Sequence, residues 1–521
     1  MLDRRHFLEI AAAFGAASGI GLQSANAEAV KIDFGDPKPF SFDELVAQAK
    51  GLAAAAFEEP VIRHADILET IDYDAFQQIA YRRELGLGEG TNVNFPAQLF
   101  HLGRYFKAPV KMHWLEQGRA RQIIYRPEYF TFGDTELDKV LPDDLGFSGF
   151  RLQDGQEART DWLALLGGCY FRSSGELNQY GLSARAIAVD TALPTPEEFP
   201  RFTEFWLQPG AVNGNDFTIF ALMDGPSITG ALRMLCTNAG QVRMDIEARF
   251  FARSDIKRMG VAPLTSMFWF GEHNRHQAKD WRPEIHDSDG LAVWTGAGER
   301  LWRPLNNPSE VLTNSFVDDN PKGFGLLQRD RAFHNYEDDG VFYDRRPSVW
   351  IEPLGDWGKG SVQLVEIPTD DEIHDNIVMY WLPETPVKAG SDWSFDYRLY
   401  WNADEPYPSD TVARVIHTRL GNGGVPGQPR PDGVKKFVID FEGGPLEDVE
   451  KLDEVKPIVS ASAGKISNDY ALQVVGTRNW RAFFDLDVEG ELPVNLRCYL
   501  QLGDKTLTET WLYQYLPFPY S

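Results

Sequence analysis

The chain has 521 residues, of which 43% are hydrophobic and 13% aromatic, and it carries 51 Lys and Arg residues against 77 Asp and Glu residues. This length and apolar content predict a folded protein of roughly two to four domains rather than a disordered one. The net charge of −26 argues against binding to nucleic acids or anionic membrane surfaces, because an acidic surface repels both. A neutral polar ligand such as a sugar meets no such repulsion.

The N-terminal segment predicts export. The sequence RRHFL (4–8) precedes a weakly apolar Ala/Gly stretch, and ANA (25–27) is a small-residue cleavage signal. This pattern is typical of a twin-arginine signal peptide over residues 1–27, which carries a folded protein to the periplasm. The sequence has no later run of roughly 18–20 apolar residues, the length that spans a bilayer, so we expect no membrane insertion.

Helix signals are confined to the first hundred residues. Ser41 and Glu44 form a capping box before an Ala-rich helix, and DAFQQIAYRRE (74–84) predicts a second, short helix. The segment QVRMDIEARFF (241–251) then alternates apolar and charged residues, as a half-buried strand does. Similar runs follow to the C-terminus, punctuated by turn clusters. We therefore predict a mostly β protein of packed sheets.

A polar, Pro-bearing stretch predicts a domain boundary at 403–413. It separates a large domain (28–402) from a segment of about 110 residues (414–521), which is long enough for one small sandwich domain. The cysteines Cys169, Cys236 and Cys498 are too few for a disulfide framework and lack a C-x-x-C spacing. We expect them to be buried as small apolar residues.

The tryptophans favour a carbohydrate cleft. Nine of the 14 lie between Trp269 and Trp401, where an even spread would place about four. Core packing is the usual role of any single tryptophan, but the flat indole face also stacks on the C–H face of a sugar. The tryptophans that flank acidic clusters are Trp281, Trp294, Trp302 and Trp381.

Other kinds of site find little support. His273 and His276 have H-x-x-H spacing, and His286 and His374 lie beside carboxylates, but H-E-x-x-H is absent. Satisfied structural histidines explain these residues better than a metal site does, and we expect neither a metal ion nor another cofactor. The serine-nucleophile motif G-x-S-x-G is also absent.

The tetrapeptide EIHD occurs at 284–287 and at 372–375. Asp287 and Asp289 lie in a polar loop before LAVW, and Asp375 lies directly before NIVMYW. Glycosidic hydrolysis requires one carboxylic acid and one carboxylate, and two acids on loops beside strands suit this chemistry. Turn-forming Asp residues are the structural alternative.

These stretches together resemble the periplasmic glucan biosynthesis proteins of the OpgG/OpgD family. The resemblance extends from about residue 32 to the C-terminus, and the twin-arginine pattern is similar to the OpgD branch. It is carried by LGFSGFR (145–151), QYGLSARAIAVDT (179–191), PEIHDSDGLAVW (283–294), RPLNNP (303–308), DNPKGFGLLQRDR (319–331), YDRRPSVWIEP (343–353), WGKGSVQLVEIPT (357–369) and ETWLYQY (509–515).

The resemblance implies a large N-terminal, galactose-mutarotase-like β-sandwich and a small C-terminal immunoglobulin-like β-sandwich. It also implies a periplasmic role in making osmoregulated glucans with a β-1,2 backbone. The expected partner is this glucan, and the inner-membrane glucan synthase is a candidate partner. The family includes inverting endo-β-1,2-glucanases and transglycosylases.

The family's site residues map onto this chain. The resemblance implies Asp375 as general acid and Asp287 as general base. Substrate-binding or relay roles are expected for Glu372, Tyr343, Arg346, His286, Asp289, Trp294 and Trp381.

One departure from the family lies beside the acid. Ile373 is apolar where some relatives carry a hydroxyl side chain that is a candidate proton relay. Two alternatives to hydrolysis therefore stay open: a transglycosylase or cyclising enzyme of the same family, and a non-catalytic glucan-binding scaffold for the synthase.

Overall fold

The computed structural model describes residues 30–91, 93–154, 160–425, 427–450 and 452–517. The predicted signal peptide at 1–27 lies outside these described residues. Within them, no helix combines the length and the apolar character that crossing a membrane requires.

Among the described residues the α-helices are short, and all but one of them lie near the N-terminus. Ser41 caps the first helix as predicted, because its Oγ accepts a hydrogen bond from the Glu44 backbone N–H at 3.2 Å. The helix predicted within 74–84 is wrong in its extent. Asp72 caps a single turn, and the chain then forms a strand that pairs with Phe130–Thr131. The helices are Phe42–Ala53, Ala65–Thr70, Tyr73–Gln77 and Phe333–Tyr336.

The described residues form two compact units, and unit 1 comprises 30–264, 353–357 and 380–401. Its first sheet has the strand order Lys38–Pro39, Arg119–Gln122, Lys111–Glu116, Arg201–Pro209, Asp216–Asp224, Ile228–Asn238, Val242–Ala252 and Asp392–Asn402. Its second sheet has the order Met259–Ser266, Ser183–Arg185, Tyr170–Ser173, Asp161–Leu166, Phe147–Gln153 and Ala97–His101, with Ile187–Val189 also paired to Met259–Ser266. The pair Ala80–Tyr81 and Phe130–Thr131 stands apart.

The core of unit 1 follows from the period-2 pattern. In Val242–Ala252 the apolar residues are buried and the charged ones half-buried, which confirms the predicted alternation. The first helix covers this sheet through Leu45 and Ala49, which pack against Trp206, Phe220 and other apolar side chains. A helix with one apolar face buries that face on the sheet.

Unit 2 comprises 265–352, 358–379 and 402–517 of the described residues. Its largest sheet has the order Ser348–Leu354, Gly323–Leu327, Gly290–Trp294, Arg300–Pro304, Thr510–Tyr515, Val494–Leu502 and Val455–Ala461, and Lys505–Thr506 pairs with Val494–Leu502. A second sheet has the order Arg414–Asn422, Lys435–Glu442, Trp480–Asp487 and Lys465–Gln473. Shorter pairings join Leu312–Asp319, Lys359–Glu366 and Ile377–Pro383 in one set, and Phe268–Phe270 with Ile285–His286 in another.

Two sheets of unit 2 pack face to face. Phe437 and Phe484 of the four-stranded sheet lie with ring centroids 6.0 Å and 6.1 Å from Trp511 of the largest sheet. All three side chains are fully buried. Aromatic contacts between two sheets are the packing of a β-sandwich.

The predicted mostly β fold is therefore confirmed, with β-sandwich packing. The galactose-mutarotase-like and immunoglobulin-like assignments stay predictions, as does the domain boundary at 403–413. All three cysteines are free and buried as expected, and burial raises the pKa of each thiol.

A substitution at Gly325 tests how closely the strands pack in the largest sheet of unit 2. A Cβ at this position would lie 2.1 Å from the backbone oxygen of Val349 on the neighbouring strand. We expect Gly325→Ala to lower the free energy of unfolding by about 2–3 kcal/mol, because the strands must separate to admit the methyl group. Urea unfolding measures this change.

Gly421→Ala is the matched control, because a Cβ there meets no atom within 4 Å. It should change the free energy of unfolding by less than about 0.5 kcal/mol. Equal effects of the two substitutions would contradict the packing described above.

Candidate active site

Asp287 is placed by a short β-ribbon. The strands Phe268–Phe270 and Ile285–His286 pair antiparallel, and the Asp287 backbone N–H donates to the Met267 carbonyl at 2.8 Å. The ribbon rests on a small apolar cluster, so its end is held rigidly. This cluster contains Met267, Phe270, Ile285, Tyr336 and Tyr343.

Asp287 forms a buried ion pair with Arg346. The Asp287 residue is only 3% exposed, and its Oδ1 lies 2.6 Å from Arg346 Nη1. The guanidinium carbon of Arg346 lies 4.4 Å from the centroid of the Tyr343 ring, a cation–π contact within the turn Tyr343–Arg345 and the residue after it. A buried carboxylate is stable in this setting because its charge is paired.

The second predicted acid, Asp375, also acts on Arg346 through its charge. Burial acts to lower the pKa of Arg346, but the negative charges of Asp287, Asp375 and Glu372 contribute to raising it overall. Asp375 therefore lies in the electrostatic field of the guanidinium that pairs with Asp287. Its backbone position, two residues before the strand Ile377–Pro383, is half-buried.

Glu372 is held by two side chains. The Tyr343 hydroxyl donates a hydrogen bond to Glu372 Oε2, and Arg282 donates from both terminal nitrogens, at 3.0 Å to Oε2 and 2.9 Å to Oε1. Burial raises the pKa of Tyr343, and this effect, with the negative charges of Asp287 and Glu372, outweighs the positive charge of Arg346, so the hydroxyl stays protonated and donates. Tyr343, Arg346, Glu372 and Asp287 thus form one connected cluster.

His286 lies behind Asp287 in a buried polar network. Its Nε2 lies 3.1 Å from Glu284 Oε2 and 3.6 Å from Asp289 Oδ1, and its Nδ1 lies 3.0 Å from Gln328 Oε1. Burial lowers the pKa of His286, but the hydrogen bond to Glu284 and the charges of Asp289 and Glu284 outweigh this effect and raise the pKa to about 9. Burial raises the pKa of Asp289 to about 6.

Gln328 ties this network to the turn that carries Arg346. Its Nε2 donates to the carbonyls of His286 and Tyr343, both at 3.1 Å, and to the Tyr336 hydroxyl at 2.9 Å. The side chains of His286 and Gln328 are fully enclosed, since the residues are 1% and 0% exposed. The network therefore acts as a structural support for the backbone on either side of the Asp287–Arg346 pair.

The predicted tryptophans have different surroundings. Trp381 is 0% exposed and contacts Trp357 in the core of unit 1, so its expected contact with substrate is wrong. Trp381 is the fifth residue of the strand Ile377–Pro383, and the first five residues of this strand are all buried. Trp294 lines a different cleft, of about 950 Å³, where Arg300 stacks on its ring. Trp281 is exposed and Trp302 is buried.

A cleft of about 820 Å³ borders the loop that leads to Asp375. Pro368, Thr369 and Asp370 form one side of it, and Trp269 lies on another. Its volume falls in the usual range for ligand pockets, roughly 300–1,000 Å³. Polar groups from Gln277, Asn307, Ser309, Asn422 and Lys435 also line it.

Two of the histidines weighed for metal binding are held by other groups. His273 Nε2 lies 2.8 Å from the Leu305 carbonyl oxygen, and His286 Nε2 lies 3.1 Å from Glu284 Oε2. In the part of the chain that the structure describes, no group of three or more His, Cys, Asp or Glu side chains is arranged to hold a metal ion.

Comparison with known proteins decides the family. Residues 40–515 match the family described as periplasmic glucan biosynthesis protein, MdoG. The chain belongs to this family. It is 48% identical to Glucans biosynthesis protein D 2 of Ralstonia nicotianae, over 99% of this chain and 98% of that protein. It is 47% identical to a probable glucans biosynthesis protein D of Shewanella oneidensis, over 92% and 89% of the two chains.

The family membership confirms the resemblance inferred from the sequence. Among solved structures, the GH36 α-galactosidase AgaA of Geobacillus stearothermophilus has a TM-score of 0.24 and 10% identity, over 42% of this chain and 30% of that one. That similarity is too small to support a conclusion about this glucan biosynthesis family member.

Several residues of the cluster were not found from the sequence. Arg282, Gln328, Tyr336 and Asp338 have no motif of their own, although Arg282 lies two residues before the first EIHD. An arginine in an acidic stretch indicates an ion pair, but the sequence does not reveal which of the many carboxylates it binds.

The His286 network predicts a pH dependence of stability. The pKa of His286 rises from its ordinary value of 6.5 to about 9 in the folded protein. Between these values the folded state holds a proton that the unfolded state has lost, so stability falls as pH rises, by roughly 1.4 kcal/mol per pH unit. Asp289, with a pKa of about 6, is ionised in both states over most of this window.

Urea unfolding of wild type and His286→Gln at pH 6.5, 7.5 and 8.5 measures the effect. The variant should lose this part of the pH slope, while His334→Gln, at an exposed histidine, should keep it. Parallel slopes for wild type and His286→Gln would show that His286 is neutral in the folded protein.

Proposed function

We propose that this protein is a periplasmic, inverting endo-β-1,2-glucanase of glucan biosynthesis. Asp375 donates its proton to the glycosidic oxygen as the bond from that oxygen to the anomeric carbon breaks. Asp287 accepts a proton from the water whose oxygen forms the new bond to that carbon from the opposite face. One water is consumed, two shorter glucans are released, and the anomeric configuration inverts.

The shared guanidinium of Arg346 carries this proposal. It pairs with Asp287 at 2.6 Å and is influenced by the charge of Asp375. One cation therefore interacts electrostatically with both carboxyl groups, which supports their assignment to one site. An opposite charge nearby favours the carboxylate form, which is the form that a general base uses.

Glu372 and Tyr343 complete the proposed site. Their hydrogen bond lies between the loop of the acid and the arginine of the base. In an inverting reaction the carboxyl groups stand roughly 6.5–9.5 Å apart to admit water, and hydroxyl groups can extend that reach. Because the Tyr343 hydroxyl donates to Glu372, we assign Tyr343 the role of holding Glu372 in position beside the acid.

The neighbouring cleft supports a glucan as substrate. Its lining offers Trp269, two tyrosines and several amide and hydroxyl groups beside the acid's loop. Aromatic faces with a few polar groups suit a neutral sugar chain, and the charge of −26 does not oppose one. We assign part of the glucan to this cleft, and we retain the membrane glucan synthase as a candidate partner.

Two other functions are separated from hydrolysis by their products. A transglycosylase would lengthen or cyclise β-1,2-glucan, and a scaffold would bind the glucan without changing it. Incubating the purified protein with linear β-1,2-glucan and sizing the products distinguishes the three outcomes. Unchanged glucan with binding retained would refute the enzymatic proposal.

Asp375→Asn tests the general acid. We expect it to lower kcat on β-1,2-glucan by at least about 10³-fold, because the leaving oxygen then departs unprotonated. Thermal unfolding should stay near wild type, since Asp375 is only half-buried. Reducing-end release measures the rate.

Asp371→Asn is the control for that substitution. It makes the same change of charge at an exposed position of the same loop, and it should keep activity within a few-fold of wild type. Wild-type rates in Asp375→Asn would remove this residue from the mechanism.

Substitution of Ile373 tests what sets the ratio of hydrolysis to glucan transfer. Its side chain is 48% exposed, two residues before the acid. We expect Ile373→Thr to raise the hydrolytic fraction of the products, because the hydroxyl can pass a proton from the attacking water. Product sizing with Ile373→Val as the shape-matched control isolates the hydroxyl, and identical product ratios in the two variants would contradict the relay.

A further inference from the structure

Arg282 gathers three carboxylates from three segments of the chain. Its side chain lies 2.8 Å from Asp280 Oδ1, 2.6 Å from Asp338 Oδ2, and 2.9 Å from Glu372 Oε1. The Arg282 side chain is only 10% exposed. A guanidinium has enough donors in a fixed plane to bind several carboxylate oxygens at once, which an ammonium does not.

The loop 367–376, which carries Asp375, is attached mainly by side chains. At its start, Asn307 Nδ2 donates to the Thr369 carbonyl at 2.8 Å, and Thr369 N–H donates back to Asn307 Oδ1 at 3.0 Å. At its end, the Asn376 side chain bonds both the N–H and the carbonyl of Phe268, at 2.8 and 2.9 Å. The middle of the loop is attached through Glu372.

The attachment in the middle of the loop depends on a charged side chain, Arg282. Glu372 receives two hydrogen bonds from Arg282 and one from Tyr343. The other partners of Arg282 are themselves fixed, because Asp338 accepts from the backbone N–H groups of Gly340 and Val341 at 2.8 and 2.7 Å. Arg282 thus joins the acid's loop to a rigid turn.

Electrostatics makes Arg282 difficult to replace. Without its charge, Asp280, Asp338 and Glu372 would face one another as three like charges in a largely enclosed site. Like charges at this distance repel, so the loop would move away from the turn that holds Asp338. Lysine would keep one charge, but it cannot form the paired contact with Glu372.

We propose that Arg282, with Asp338 as its fixed partner, is the positioning residue that sets the place of the general acid Asp375. This inference rests on the proposed glucanase function. Arg282 acts through Glu372 and the loop and does not itself transfer a proton. A displacement of about 1 Å in a catalytic group can cost roughly 10²-fold in rate.

Leaving-group dependence separates this role from a merely structural one. Arg282→Lys should lower kcat on β-1,2-glucan by about 10²-fold, because the sugar leaving group needs a well-placed acid. On dinitrophenyl β-sophoroside, whose phenolate leaves without protonation, the loss should be below about 5-fold. Equal losses on both substrates, or no loss on either, in a folded variant would overturn the proposal.

Arg481→Lys is the matched control. Arg481 donates two hydrogen bonds to Asp440 within the four-stranded sheet, away from the loop and its anchors. It should change neither rate by more than a few-fold. If Arg282→Lys does not fold, Asp338→Asn replaces it, and a smaller loss with the same preference for the activated substrate is expected.

Hydrogen exchange of residues 368–376 tests the positioning without any turnover. Arg282→Lys should raise the exchange rate of this loop by about 10-fold, while Arg481→Lys leaves it unchanged. Inactive wild type with faster loop exchange in Arg282→Lys would refute the glucanase function but retain the anchoring by Arg282. Active wild type with unchanged loop exchange would refute the anchoring alone.

Discussion

The candidate site depends on one buried ion pair, between Arg346 and Asp287. Burying a lone carboxylate or guanidinium is costly, and removing one member of such a pair costs about 3–5 kcal/mol because the other charge is left unpaired. The two side chains therefore fix each other. The Tyr343 ring also contacts the guanidinium through its face, so both partners of the ion pair are held in place.

The two proposed catalytic acids are held by different means. Asp287 follows a paired strand and is enclosed by a polar network of His286 and Gln328. Asp375 lies in a loop that is attached through side-chain contacts of Asn307, Arg282 and Asn376. The two supports are nevertheless linked, because Glu372 of that loop accepts a hydrogen bond from Tyr343, whose ring contacts the arginine that pairs with Asp287.

Much of the fold follows from local sequence patterns. The cap at Ser41 and the alternation along Val242–Ala252 depend on residues adjacent in sequence, so the sequence alone predicts them. The short helix at Tyr73–Gln77 ends early because the next residues pair with a strand about 50 positions away. Such long-range pairing overrides local propensity.

The candidate site likewise combines residues that the sequence identified with partners that only the folded chain brings together. The resemblance to a family placed Asp287, Asp375 and Arg346 in one cleft, which composition alone did not do. The partners of Arg282 come from positions up to 90 residues apart, and no spacing rule connects them. The expected substrate contact of Trp381 failed for a related reason, because an indole side chain is suited both to core packing and to a sugar-binding cleft.

The buried thiols have a practical consequence. Cys169 and Cys236 belong to unit 1 and Cys498 to unit 2, and each is at most 2% exposed. A thiol-specific reagent cannot reach them while the surrounding sheets are closed, and their raised pKa further limits the reactive thiolate. Alkylation followed by peptide mass spectrometry would therefore report the opening of each unit separately. The native cysteines make such a measurement feasible without introducing any label into the chain.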